Sequence, residues 1–175
     1  MKPTPSLAYQ EFDRRFLNAS YSWPERKDGV PLELLDKLDP AEKQRAGEAL
    51  ISRLSTGDSW PARGLGHLRS QNALGPLRGL LPKAKGSVRA AIALAISQID
   101  GDPQMADELL VLSRSDYTDD SHSAKTFTMI DIIYCLAYVS SETVTKRLEE
   151  LTQSKNYLIS YNARRAIKLR NARRL

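Results

Sequence analysis

The run Val88-Arg89-Ala90-Ala91-Ile92-Ala93-Leu94-Ala95-Ile96-Ser97-Gln98-Ile99-Asp100-Gly101-Asp102-Pro103, followed by Leu109-Leu110, decides the fold. Val88, Ile92, Ala95, Ile96 and Ile99 recur at helical spacing, which predicts one buried stripe on one helix. Ala90, Ala91, Ala93 and Ala95 are small enough to let neighbouring helices approach closely. Asp102-Pro103 supplies a capping carboxylate and a proline suited to a first turn, so a second helix is expected through Met105 and Leu110. Asp39-Pro40-Ala41-Glu42 gives the same signal. Asp39 can cap, Glu42 can reach back, and the helix is expected to end near Thr56-Gly57.

Self-similarity extends this reading in both directions. Leu65 and Leu68 fall 31 residues before Ile96 and Ile99, and Leu35 and Leu38 fall 30 before those. Leu136 and Val139 repeat the pair 40 residues after Ile96 and Ile99, and Ile167 lies 31 beyond Leu136. The longer step is accounted for by the polar, acidic stretch 113–123. Residues 1–34 stand outside the pattern. Within them Ala8, Phe12 and Phe16 share one helix face, and 18–29 reads as a loop. Strand alternation is absent. A single hairpin of this size cannot bury its own apolar face, so neighbours must stack into a continuous core.

The segment 88–110 resembles a HEAT repeat of the phycobilisome-lyase-like type. The likeness lies in its valine-arginine start, its small residues, its Leu-x-x-Ile-type pair, its Gly/Asp turn and its double leucine. The second half of that pattern recurs in 65–81 and 136–151, so the likeness covers about residues 35–169; Pro76 and Pro82 depart from it. The resemblance implies an all-α, right-handed solenoid of about four to five helical hairpins forming a single domain over 1–175. Residues 1–34 would be a non-repeat helix and loop, 35–169 the repeats, and 170–175 a basic tail.

Composition agrees with a folded domain: 41% of the 175 residues are hydrophobic and 27% charged. Cys135 is the only cysteine, so no intrachain disulfide forms and a reducing compartment is favoured. No signal peptide or membrane span is visible, and a cytoplasmic location is expected. The net charge of +5 is concentrated: residues 157–175 carry six basic side chains and no acid. Such an end can attract phosphate or an acidic protein surface, or it can be a solvated helix whose cations suit its dipole.

Catalytic constellations fail one by one, and the chain is expected not to be an enzyme and to hold no metal or cofactor. His67 and His122 are 55 residues apart, and neither has zinc-ligand spacing to Cys135. Asp119, Asp120 and His122 lack the spacing of a calcium loop. Cys135 sits among apolar residues as a small hydrophobe. Gly64-Leu65-Gly66 and Lys85-Gly86-Ser87 match no phosphate-binding motif. Asp58-Ser59-Trp60, with Arg63 one turn on, is similar to the tryptophan–aspartate arrangement of HEAT-like DNA glycosylases. The chain is short for that family, however, and Trp23 lies in the non-repeat loop, so Trp60 is assigned to packing or to anchoring a partner. Arg89, at the valine-arginine position, is assigned a structural role.

A binding face is expected instead. If Val88, Ile92, Ala95, Ile96 and Ile99 are buried, Ala93, Leu94 and Ser97 form an outer ladder. Its counterparts by spacing are Ala62, Arg63 and Gly66, then Ile133, Tyr134 and Ala137, then Arg164, Arg165 and Lys168. The partner-binding residues are therefore predicted to be Trp60, Arg63, Tyr134, Tyr138, Arg164, Arg165 and Lys168, in which the aromatic and arginine anchors are of types enriched at interface hot spots. By family-level likeness, small HEAT-like proteins without catalytic residues serve as immunity proteins that neutralise a cognate bacterial toxin. A protein partner of that kind is the expected one. The alternative is a nucleic-acid binder using the basic C-terminal face.

Overall fold

A computed structural model describes residues 4–20, 26, 29–115 and 123–173. Among these residues there are ten α-helices and no strand. They are α1 (Leu7–Phe12, continuing as a π-helical turn, Asp13–Leu17), α2 (Glu33–Asp36), α3 (Pro40–Ser52), α4 (Trp60–His67) and α5 (Leu74–Leu80). There follow α6 (Gly86–Asp100), α7 (Gln104–Ser113), α8 (Ala124–Leu136), α9 (Glu142–Leu151) and α10 (Tyr157–Ala172). No helix among the described residues is long and apolar enough to cross a membrane.

The predicted helix starts have identifiable chemistry. Asp39 accepts from the Glu42 N–H at 2.8 Å, and Pro40 occupies the first turn. Glu42 does not complete a capping box. Its carboxylate accepts from the Ser6 N–H and Oγ, both at 2.9 Å, and so pins the start of α1 onto α3. Asp102 accepts from the Gln104 N–H at 2.9 Å and opens α7. Asn156 opens α10, accepting from Leu158 and Ile159, while its amide donates to Thr126 at the start of α8. Gly101 ends α6 at φ +76°, a left-handed turn that a side chain would strain.

Packing follows the alternation of helices along the chain. In one row α4 packs on α6, α6 on α8, and α8 on α10. Between them, α3 lies on α4, α5 and α7 on α6, α7 on α8, and α9 on α10. The middle helix, α6, has neighbours on several sides, and residues 90–96 are all buried. Ala93 and Leu94, expected on an outer ladder, are therefore core residues, as are their counterparts Ala62, Gly66, Ile133 and Ala137. The stripe read from Val88 to Ile99 is buried too, apart from Val88, which is half-buried. A helix with neighbours on nearly every side has no single buried face, and α6 is such a helix.

Arginines lock the arrangement. Arg89 on α6 pairs with Glu108 on α7, the structural role expected of it. Arg147 on α9 donates to Ser113 Oγ at 3.1 Å and to the Ser113 carbonyl at 2.6 Å, closing the end of α7. Arg170 on α10 is 4% exposed and donates to the carbonyls of Leu136, Val139 and Ser141, closing the end of α8. In both cases a guanidinium caps the helix two places earlier in the chain, where carbonyls lack intrahelical donors.

Candidate functional site

The carboxyl ends of α4, α6, α8 and α10 converge on an open groove of about 1080 Å³. Its polar lining includes Arg63, Arg69, Gln98, Ser141 and Arg173, and its aromatic element is Tyr138. The start of α7, at Pro103, Ala106 and Asp107, forms part of the same wall.

Tyr138 is the centre of the charge distribution. The Arg63 guanidinium lies 5.7 Å from its ring centroid and that of Arg173 lies 4.1 Å from it, both within cation–π range. Arg63 is half-buried, and its Nη1 reaches Cys135 Sγ at 3.7 Å. None of the described ion pairs includes Arg63, Arg69 or Arg173. The nearest competitor for Arg63 is Asp131, one turn before Cys135. Burial pushes that carboxyl above the usual aspartate range, against the Ser87 hydroxyl and the Arg63 charge, although the residue keeps an exposed side. His67 also lines the groove, and its ring meets Asp36 at 2.7 Å, joining α4 to α2. Of the acids in the wall, Asp102 is engaged by Arg78 at 3.2 Å and Asp107 is exposed.

Arg69 carries a further mark. Its φ is +49°, the left-handed region that glycine favours, and it follows α4 directly. The Ser70 N–H bonds the Leu65 carbonyl and the Arg69 N–H bonds the Gly66 carbonyl, the crossed pair of a Schellman ending. An arginine there costs about 1 kcal/mol relative to glycine. Arg69→Gly is therefore expected to stabilise the fold by up to about 1 kcal/mol in urea denaturation while removing one cation from the groove.

The predicted binding residues divide into three sets. Arg63 and Tyr138 line the groove. Trp60 does not: it is 6% exposed, packs edge-on against Phe16 at 5.7 Å, and lies under the Arg26 guanidinium at 4.1 Å, which itself pairs with Asp58. That is packing, and it ties the N-terminal segment to α4. Tyr134 is half-buried, and its hydroxyl donates to Asn162 Oδ1 at 2.9 Å, joining α8 to α10. Arg164, Arg165 and Lys168 are exposed on α10, away from the groove. By the 31-residue spacing they stand where α8 has Ile133, Tyr134 and Ala137, all wholly or partly covered. Cationic side chains in those positions would not accept another helix of the α6 type. Beside them Tyr157 and Tyr161 stack at 5.8 Å and remain exposed.

Arg69 and Arg173 were not foreseen. Arg173 belongs to the segment expected to be a basic tail, and only its docking beside Tyr138 reveals its place. Trp23, Asp119, Asp120 and His122 lie outside the described residues. The Cys135 thiol is pushed up by burial, with the Arg63 charge opposing, and it is 1% exposed. A thiol reagent is therefore expected to label native protein negligibly and urea-unfolded protein fully; rapid labelling of the native form would show the core to be open there.

Searches against protein-family models, curated proteins and solved structures give no match to this chain.

Proposed function

We propose that this chain is a non-catalytic protein-binding module, a right-handed solenoid of HEAT-like hairpins. Its partner in this reading is a bacterial toxin domain that it neutralises as an immunity protein in the cytoplasm. The groove carries the reading: half-buried Arg63 and exposed Arg173 meet at Tyr138, and neither is part of an ion pair among the described residues. Tyrosine and arginine at the centre of a cleft are the residues that dominate binding energy in protein interfaces. The alternation of packed helices supports the solenoid, since each helix touches near neighbours along the chain.

The test is co-expression with the toxin-like product of a neighbouring reading frame. Growth rescue and a stable complex are expected. Tyr138→Ala combined with Arg63→Ala should weaken that complex at least tenfold, about 1.4 kcal/mol, while the helical signal is kept. A folded double variant that protects as well as wild type removes the groove from the interface.

A second reading rests on α10. Stacked Tyr157 and Tyr161 beside Arg164, Arg165 and Lys168 could receive the bases and phosphates of a single strand. Three phosphate contacts predict that log affinity for oligo(dT) falls against log salt with a slope of about −2. Arg164→Glu with Arg165→Glu would abolish this binding without unfolding, because both side chains are exposed. Absence of oligo(dT) binding at low salt ends this reading.

A further inference from the structure

We infer that Arg63, Tyr138 and Arg173 form a seat for a single carboxylate side chain, presented by an extended peptide segment lying in the groove. This deepens the protein-binding reading and rests on it for the identity of the partner as a protein.

The first ground is an unmet demand. A guanidinium offers five N–H donors and no acceptor. Arg63 is partly withdrawn from water, and it touches a thiol sulfur and an aromatic ring, with the Asp131 carboxyl near enough to feel its charge but not in an ion pair with it. Sulfur is a weak acceptor, and a ring face answers charge without taking a directed hydrogen bond. A carboxylate is the planar acceptor that matches the guanidinium fork.

The second ground is convergence. Arg173, from the far end of the chain, brings a second cation to the same ring at 4.1 Å. Two like charges drawn to one residue repel each other, and an anion between them turns that repulsion into attraction on both sides. Tyr138 keeps the two guanidiniums in place while the seat is empty. Arg69 adds a third cation to the same groove, in a backbone conformation that glycine would adopt with less strain.

The third ground separates a peptide from a polyanion. Four helices direct their carboxyl ends, which carry partial negative charge, at this groove. The α8 ending is capped by Arg170, the α4 ending by its own turn, and the amino end of α7 lines the same wall through Pro103, Ala106 and Asp107. Asp102 and Asp107 add formal negative charge to the wall. A run of phosphates would bring several negative charges against the exposed Asp107 carboxylate and these carboxyl ends. A peptide meets it with backbone N–H groups while its one carboxylate goes to the arginines. The groove is open, and at about 1080 Å³ it slightly exceeds the roughly 300–1,000 Å³ typical of small-molecule clefts, which suits a length of chain.

The experiment is a calorimetric titration of the whole protein at low salt with a capped glycine–glutamate–glycine–glutamate–glycine peptide. The matched arms are its glutamine counterpart, free glutamate and oligo(dT). The glutamate peptide is expected to bind at least tenfold more tightly than the glutamine peptide or free glutamate. Arg63→Gln and Arg173→Gln should each remove most of that advantage, whereas Arg164→Gln with Arg165→Gln should leave it intact. Arg173 is exposed, so its variant reports on the seat even if the Arg63 variant proves unstable. Equal binding of the glutamate and glutamine peptides, no binding of either, or an advantage that survives Arg173→Gln overturns the seat. Oligo(dT) binding that depends on Arg63 and Arg173 overturns it in favour of nucleic acid. Free glutamate binding as tightly as the peptide would make the site one for a small carboxylate and refute the peptide. A toxin partner held equally well by both arginine variants would sink the seat and leave the binding-module reading standing. Peptide binding without any neutralised partner would do the reverse.

Discussion

Gly66→Ala is expected to destabilise the protein by about 2 kcal/mol, even though alanine is the better helix former. Gly66 lies in α4 against α6. An added Cβ would stand 2.8 Å from the Ala95 Cα and 3.1 Å from its Cβ. The Gln98 side-chain oxygen stands closer still but can swing away; the Ala95 backbone cannot, so relief requires the two helices to move apart. Overpacking of this kind costs about 1–3 kcal/mol and occasionally more, against a propensity gain of about 1 kcal/mol. Gly64→Ala provides the contrast. Its Cβ would meet Leu50 Cδ1 at 2.8 Å and Phe16 Cζ at 3.0 Å, the outer atoms of side chains that can give way, so about 1 kcal/mol is expected. Gly75 and Gly79 in α5 have nothing within 4 Å of an added Cβ. Alanine there should stabilise by about 0.5–1 kcal/mol. Urea denaturation of the four variants reads the order directly. A Gly66→Ala protein as stable as wild type would mean that α4 and α6 do not approach as closely as described.

The second large effect is expected at Arg170. Arg170→Met keeps most of the apolar stem but removes the donors to the carbonyls of Leu136, Val139 and Ser141, at 3.5, 2.6 and 3.0 Å. Leu136 is fully buried and Val139 nearly so, leaving water little access to replace the lost bonds. Stranding buried acceptors costs about 1–3 kcal/mol for each group, so a loss of about 3–4 kcal/mol is expected once the weakest of the three is discounted. Arg147→Met should cost less, about 1–3 kcal/mol, because it strands a single carbonyl, that of the fully buried Ser113, where Arg170→Met strands several. Equal and small losses for both variants would show that water caps these helices adequately.

The legible part of the sequence was the part governed by local rules. The starts at Asp39 and Asp102, the buried stripe of α6, and the tight approach permitted by its alanines follow from period, capping and side-chain size. The spacing also put Arg63 on this row of helices, and Tyr138, just past the end of α8 and two helices along, lines the same groove. Orientation around each helix was harder to read. Ala93 and Leu94 look like outer positions only if α6 has one buried face, and the number of a helix's neighbours is a tertiary property. Glu42 shows the same limit, since it abandons its local cap for Ser6, 36 residues away. Trp60 was drawn inward by Phe16 and Arg26, and nothing near it in the sequence announces that. Arg69 was illegible for another reason: a left-handed arginine has no compositional signature, and glycine would have been the natural guess.

The arginine closures also bear on how the chain comes apart. Because α8 is finished by a side chain from α10, and α7 by one from α9, neither ending is complete until a later segment has docked. Detaching α10 would therefore fray α8 as well, and the last turn of α8 should lose hydrogen-exchange protection together with α10. The same departure would carry Arg173 away from Tyr138. A ligand that grips Arg173 holds the final helix down, and through Arg170 it slows the opening of a neighbour it never touches.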